Sequence, residues 1–255
     1  MMVTYLYCVL TPPRVDAPGR GLSGVGGSSV RSLVIGKATG LEAWVSTVDE
    51  AVLRVTGRAL ASQALLHNEV VEAALATGRT PLPTRFGSHF ADDERCVEGL
   101  ARRSASLIDV LGQLAGTVEM SVLLVPSRRA AAKDSAAPPT RDEPSAGRRY
   151  LESLREKSHR AERAQRAADT IVARIDAALR GIARAEARSR TATGIARIAH
   201  LLSGADVHRY REAIGVFAPT DEFRLVISGP RAPYSFVGSA APQGGHDSSS
   251  PNDNG

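Results

Sequence analysis

Aromatic residues make up only 4% of this 255-residue sequence, with one tryptophan among them, and cysteines number two. With so few rings, alanine and valine must carry much of the burial, and a platform for stacking nucleic-acid bases is hard to build. Cys8 and Cys96 stand far apart, without a CxxC pair or an even framework, which excludes a disulfide scaffold and favours a reduced, cytoplasmic setting. No apolar run approaches the ~20 residues that cross a bilayer. The opening MMVTYLYCVL has neither the basic start nor the small-residue cleavage site of a signal peptide, so a soluble cytoplasmic protein is expected.

The motifs of common chemistries are missing as well. The histidines, at 67, 89, 159, 200, 208 and 246, show no HExxH or HxH spacing, and the cysteines offer them no partner ligands. No GxSxG elbow and no GxxxxGK loop occur. Gly19-Arg20-Gly21-Leu22-Ser23-Gly24 matches GxGxxG in form only. Prolines at 12, 13 and 18 separate it from the preceding strand, and another strand follows where a dinucleotide site needs a helix. Asp92, Asp93 and Glu94 cluster at the start of a helix, where capping and the helix dipole account for all three. The residues therefore point to no enzyme, no metal and no cofactor.

What is present is patterning. VTYLYCVL (3–10), VRSLVIG (30–36) and LEAWVSTV (41–48) read as strands, and Asp49 to Thr77 reads as a helix with Asp49 as N-cap and Gly78 at its end. Its apolar side is Leu60, Ala64, His67, Val71 and Leu75. A strand over LPTRFGSHF (82–90), a helix from Asp92 to about Ala115 and a strand over TVEMSVLLVP (117–126) complete residues 1–126. This order predicts an α+β domain of modified ferredoxin-like type, an antiparallel sheet with helices on one face.

Residues 127–147 read as a flexible linker. Arg148 to about Ala187 is proline-free and predicts a long helix or, with a break near Gly181 or at 191–194, a helical hairpin. Strand (195–202), helix (205–215) and strand (222–229) follow, with YSFV (234–237) as a last edge, giving a second α+β domain over 148–237 and a disordered tail over 238–255. From 148 to 190 there are twelve Lys/Arg against six Asp/Glu, so the positive excess of the chain lies on this element. Nucleic-acid binding is the alternative that this basic helix raises. Against it, Glu156–Arg160, Glu162–Arg166 and Asp176–Arg180 stand at the i,i+4 spacing of a self-supporting helix. Leu151, Leu154, Ala161, Ala168, Val172, Ile175, Leu179 and Ile182 repeat near 3.5 residues, a seam for helix packing or for an amphipathic partner.

If LPTRFGSHF is a regular strand, Leu82, Thr84, Phe86, Ser88 and Phe90 face the core, and Arg85 and His89 lie on the reverse face. Pro83 suits a strand start, and Gly87 a bulge or a close approach.

PLPTRFGSHFAD resembles the "LPxRFGxxF" element of the gas vesicle accessory proteins GvpF and GvpL. GPRAPYSFV (229–237) resembles the terminal "GPWPPYSFV" of that family. YLYCVL, GLSGVGG, LEAWVSTV and AHLLSGADVHRYREAI fall in the family's order, so the resemblance covers about 3 to 237. Thr84 stands where an apolar residue is usual, His89 where an aliphatic one is common, and Arg231-Ala232 replaces tryptophan and proline. The resemblance implies a non-enzymatic protein of gas vesicle formation, without cofactor, that binds the hydrophobic shell protein GvpA and other accessory proteins and resides in the cytoplasm or on the vesicle. It also implies the fold inferred above, with a helical hairpin in the C-terminal domain. Arg85, His89, Arg174, Arg180, Arg184 and Tyr234 are the candidates for partner contact.

Overall fold

VTYLYCVL becomes the central strand of an antiparallel sheet in the computed structural model, which describes residues 1–11, 21–36, 39–126, 146–190, 196–218, 220 and 223–238. Strand β1 (Met2–Leu10) is buried at every residue from Val3 to Leu10, because it has strands on both sides and cover on both faces. β3 (Leu41–Asp49) pairs antiparallel along one edge, with a bulge between Leu6 and Cys8, and β2 (Arg31–Ile35) pairs antiparallel with β3. β4 (Leu82–Pro83) and β5 (His89–Phe90) both pair with β1.

The helix expected from Asp49 is two elements. Asp49 caps a 3-10 turn over Glu50–Arg54, its carboxylate accepting from the Ala51 N–H at 3.0 Å. Helix α1 (Gly57–Ala76) then starts afresh after Thr56, because Gly57 has φ +60°, which no continuous right-handed helix tolerates. α1 buries His67, Val70, Val71 and Ala74 against Val3, Tyr5, Tyr7 and Trp44, while Leu60 stays 38% exposed. Its buried stripe thus lies beside the face that spacing suggested. Gly78, at φ +80°, ends the helix as expected.

The helix expected over 92–115 also divides, into α2 (Asp93–Ala101) and α3 (Ser104–Leu114), with Arg103 non-helical between them. Asp92 is the N-cap, accepting from the Arg95 N–H at 2.8 Å. On the face of β1 opposite Tyr5, Thr4 donates to Asp93 at 2.6 Å, and Arg31 bonds the same oxygen at 2.7 Å. Cys8 and Cys96 are buried free thiols. Burial pushes Cys96 up to about 12 and Cys8 higher still, so neither is poised to react.

The fold divides at points other than the expected boundaries. Met1–Glu119 and Arg231–Gly255 cluster as one unit and Met120–Pro230 as another. β6 (Thr117–Pro126), read as the closing strand of the first domain, belongs to a four-stranded sheet of order β7-β8-β6-β9, with β7 Ala183–Arg190, β8 Ala196–Ser203 and β9 Phe223–Arg231. α4 (Ala146–Ala178) is a single 33-residue helix, ~50 Å long. No helical hairpin follows it. A turn with Gly181 at φ +79° leads into β7, antiparallel to β8. The reason is a change of period: Ala183, Ala185, Ala187 and Ser189 alternate with Arg184, Glu186, Arg188 and Arg190, a strand pattern that high alanine content disguises.

In this second unit Ile171, Val172 and Ile175 of α4 are buried, with Leu179 just past its end, as are Ile198, Ala199, Leu201 and Leu202 of β8 and Met120, Val122 and Leu124 of β6. α5 (Val207–Gly215) adds Tyr210 and Ile214. YSFV forms a 3-10 turn (Tyr234–Phe236) and not an edge strand, and it clusters with the first unit and not with 148–230. Residues 127–145, 191–195 and 239–255, and with them most of the expected linker and tail, lie outside the described residues.

The glycine-rich loop has a packing role. Gly24 precedes a 3-10 turn, Val25–Gly27, whose first N–H donates to the Tyr7 hydroxyl at 2.8 Å, and that hydroxyl donates to Ser46 at 3.1 Å. A Cβ at Gly24 would lie 2.0 Å from the Tyr7 oxygen, so only glycine admits this approach. Gly24→Ala is expected to cost about 1–3 kcal/mol and to lower Tm by several degrees. Gly112→Ala, in α3 with open space at its Cβ, is expected to stabilise slightly. Thermal unfolding of the two variants checks both signs.

Candidate functional site

The element LPTRFGSHF does not run as a strand. Leu82 and Pro83 pair with Val9 and Cys8, and His89 and Phe90 pair with Tyr5 and Thr4, but a turn over Arg85–Gly87 interrupts the pairing, while the Ser88 carbonyl still accepts the Leu6 N–H at 2.9 Å. Thr84 turns the chain: its N–H donates to the Tyr7 carbonyl at 2.9 Å, and its hydroxyl lies 2.6 Å from the Leu6 carbonyl and 3.0 Å from that of Tyr7. These contacts give the Thr84 hydroxyl its role. Gly87, at φ +92°, closes the turn, with the Ser88 N–H on the Arg85 carbonyl at 3.1 Å. Strand parity therefore fails here. Leu82, Pro83 and Thr84 are buried in succession, Ser88 is buried, and Arg85 alone in the element is exposed. His89 is half-buried and holds the Gly87 carbonyl through Nδ1 at 2.8 Å.

Phe86 falls back onto the core. Its ring centroid lies 6.1 Å from both Tyr5 and His67, and Tyr7 lies 4.9 Å from Tyr5 and 5.6 Å from His67. The second motif arrives at the same place. Ala232 is fully buried, donates its N–H to Glu72 at 3.4 Å, and positions Tyr234 with its ring 6.5 Å from His67. Arg231 bonds Glu119 at 3.1 Å and the Ser235 N–H takes the other carboxylate oxygen at 2.7 Å, satisfying a carboxylate that is 1% exposed. Both family motifs thus converge on His67, whose Nδ1 is 2.8 Å from the Tyr5 hydroxyl.

The electrostatics of this cluster are those of a core. Burial lowers His67 to about 4, partly offset by the backbone of Thr84, so the ring is neutral near pH 7. Burial raises Tyr5 and Tyr234 well above the usual tyrosine range, raises Tyr7 against its hydrogen bonds to Ser46 and Val25, and raises Glu72 against the opposing Ala232 N–H. Each group is held in its neutral form or pulled towards it, which suits a cluster that locks the chain in place.

The candidates for partner contact are divided between the units. Arg85 and His89 flank one turn, and Tyr234 packs with the core cluster. In the second unit Arg180 and Arg184 are exposed, near the end of α4 and on β7, and Arg174 lies over the Phe217 ring at 5.2 Å. Asp176 does not pair with Arg180 as spacing suggested but with Arg188 of β7, at 2.7 Å. Arg188 also reaches Glu186 at 2.8 Å, and His200 of β8 stands beside them, close enough for the three residues Asp176, Glu186 and His200 to hold a metal ion. Sequence reasoning missed this group because its members come from three elements and share no short spacing. No helix among the described residues is long and apolar enough to cross a membrane.

Residues 3–238 match the family model of gas vesicle synthesis protein GvpL/GvpF. The chain belongs to the GvpL/GvpF family. It is 28% identical to gas vesicle protein L of Streptomyces sp. (strain CB03234), over 92% of this chain and 93% of that one. Its fold is shared with the crystal structure of GvpF from Anabaena sp. PCC7120, at TM-score 0.70 and 21% identity, covering 93% and 96% of the two chains. It is shared too with GvpF from Microcystis aeruginosa, at TM-score 0.65 and 19% identity, covering 92% and 98%. Membership places the chain in gas vesicle formation, a family described by synthesis of a structure and not by a reaction.

Two outcomes follow from the GvpL/GvpF motif cluster. Arg231→Ala leaves the Glu119 carboxylate buried without its cation and is expected to cost about 3 kcal/mol in denaturant unfolding. His67 titrates at 6.5 when unfolded and at about 4 when folded, so between those values the unfolded chain binds the extra proton. Stability is therefore expected to fall as pH drops from 6.5 to 4, by on the order of 3 kcal/mol from this residue. Urea melts across that range for wild type and His67→Gln isolate the effect as a smaller slope in the variant.

Proposed function

We propose that the chain is an assembly factor or minor vesicle component that binds the hydrophobic shell protein GvpA, and other accessory proteins, during vesicle formation. What supports this reading is family membership over nearly the whole chain together with one surface, the N-terminal half of α4. The apolar seam of α4 is buried from Ile171 onward, but nearer its start Leu151 is 56% and Leu154 43% exposed. A helix that continues its apolar stripe beyond its own core is suited to lie against another amphipathic element.

The neighbouring charges favour a protein over a nucleic acid. Residues 148–166 are net positive, with Arg148, Arg149, Arg155, Lys157, Arg160, Arg163 and Arg166 against Glu152, Glu156 and Glu162, but the acids are interleaved along the helix and break the cationic stripe that phosphates would follow. Arg85 at its turn, with Arg180 and Arg184 in the second unit, remain the exposed cations suited to steering an acidic patch of a partner. Tyr234 and Arg174 contribute through packing, the first in the aromatic cluster and the second on Phe217.

A small apolar subunit that builds a sheet-like wall needs a temporary partner for its exposed surface. Co-expression with the shell protein is expected to hold that protein in the soluble fraction and to co-purify it. Leu151→Glu with Leu154→Glu, on an exposed helical surface, is expected to keep the circular dichroism of the wild type and reduce capture at least about tenfold. Failure of the wild-type chain to co-purify or solubilise the shell protein overturns the proposal.

A further inference from the structure

Asp176 near the end of α4, Glu186 on β7 and His200 on β8 each bring one ligand-type atom to a common point, all within 4.8 Å of one another. Two features of this group are unresolved by the protein's own contacts. Asp176 Oδ1 and His200 Nε2 are buried and have no hydrogen-bond partner, and His200 as a whole is 1% exposed. A buried polar atom left unmade costs about 1–3 kcal/mol, so two in one cluster call for an explanation. The other ring nitrogen, Nδ1, lies 2.9 Å from the Tyr210 hydroxyl, the kind of outer hydrogen bond that orients metal-bound histidines.

We propose that Asp176, Glu186 and His200 form a binding site for a divalent transition-metal ion of the zinc or cobalt(II) class. One imidazole with two carboxylates is a mixed nitrogen and oxygen set, which suits these ions better than magnesium or calcium, with their all-oxygen preference. Arg188 is the competitor. Its guanidinium holds Asp176 Oδ2 at 2.7 Å and Glu186 Oε1 at 2.8 Å, and it is half-exposed, so it can swing to solvent as the ion enters. Donor atoms around a tetrahedral zinc stand roughly 3.4 Å apart, so the three side chains must draw in by about an ångström. Rotation of Glu186, exposed on β7, supplies most of that movement. The ion would then tie the end of α4 to two strands of the same sheet, replacing a salt bridge by coordination.

The test uses the full-length chain, stripped with chelator and titrated with Co²⁺ by visible absorption and with Zn²⁺ by calorimetry. One ion per chain and a rise in Tm that chelator reverses are expected. Glu186→Gln, exposed and nearly isosteric, should weaken binding more than about tenfold, as even an outer partner of a metal ligand can be worth that much. Arg188→Gln should tighten it, because it removes the competing cation; a cluster serving only as an ion pair would show no binding in this variant. His200→Gln, checked for folding by circular dichroism, should abolish the absorption of bound Co²⁺. No stoichiometric binding by either wild type or Arg188→Gln overturns the proposal, as does binding that Glu186→Gln and His200→Gln leave unchanged.

Discussion

Burial of β1 on both faces and along both edges is the constraint on which the first unit depends. A strand with no solvent side fixes its neighbours on every side at once. β3 takes one edge, and α1 covers the face of Tyr5 and Tyr7. The other edge is shared by two short pairings that belong to one family motif, with a turn between them. That turn exists because Thr84 carries its hydrogen bonds to the carbonyls of Leu6 and Tyr7, where the bulge of β1 against β3 lies. The hydroxyls of Tyr5 and Tyr7 then serve as the buried anchors for Gly87, His67, Val25 and Ser46.

The return of the chain to this unit after β9 depends on polar groups in a dry place. Glu119 is a carboxylate that burial alone would disfavour, and it is kept by Arg231 and the Ser235 N–H together. Such a pair adds little net stability over an apolar contact of the same shape, but it accepts one docking geometry and penalises others. Arginine beside a fully buried alanine makes this closure by charge.

Much of this was legible beforehand. The strands over 3–10, 30–36, 41–48, 117–126, 195–202 and 222–229 all appear, and Asp49, Asp92 and Gly78 act at element ends as their residue types require. Three of the features that were not legible concern the path of the backbone. The break at Gly57 is a backbone conformation hidden inside a helical pattern. β7 is rich in alanine and arginine, good helix formers, and becomes a strand because β8 offers its edge; pairing outweighs propensity. The turn at Arg85 interrupts what alternation alone would read as one strand, because its hydrogen bonds go to residues some 80 positions away.

The sequence by itself determined the family, the antiparallel sheets with helices, and the basic character of the long helix, since each is carried by short-range pattern. The tertiary structure alone decided that both family motifs close on His67 and that β6 joins the second sheet. It also decided that the last motif clusters with the first unit, and that Asp176, Glu186 and His200 meet. These are long-range pairings. They are selected by burial and by satisfaction of polar groups across sequence-distant elements, and no local spacing records them.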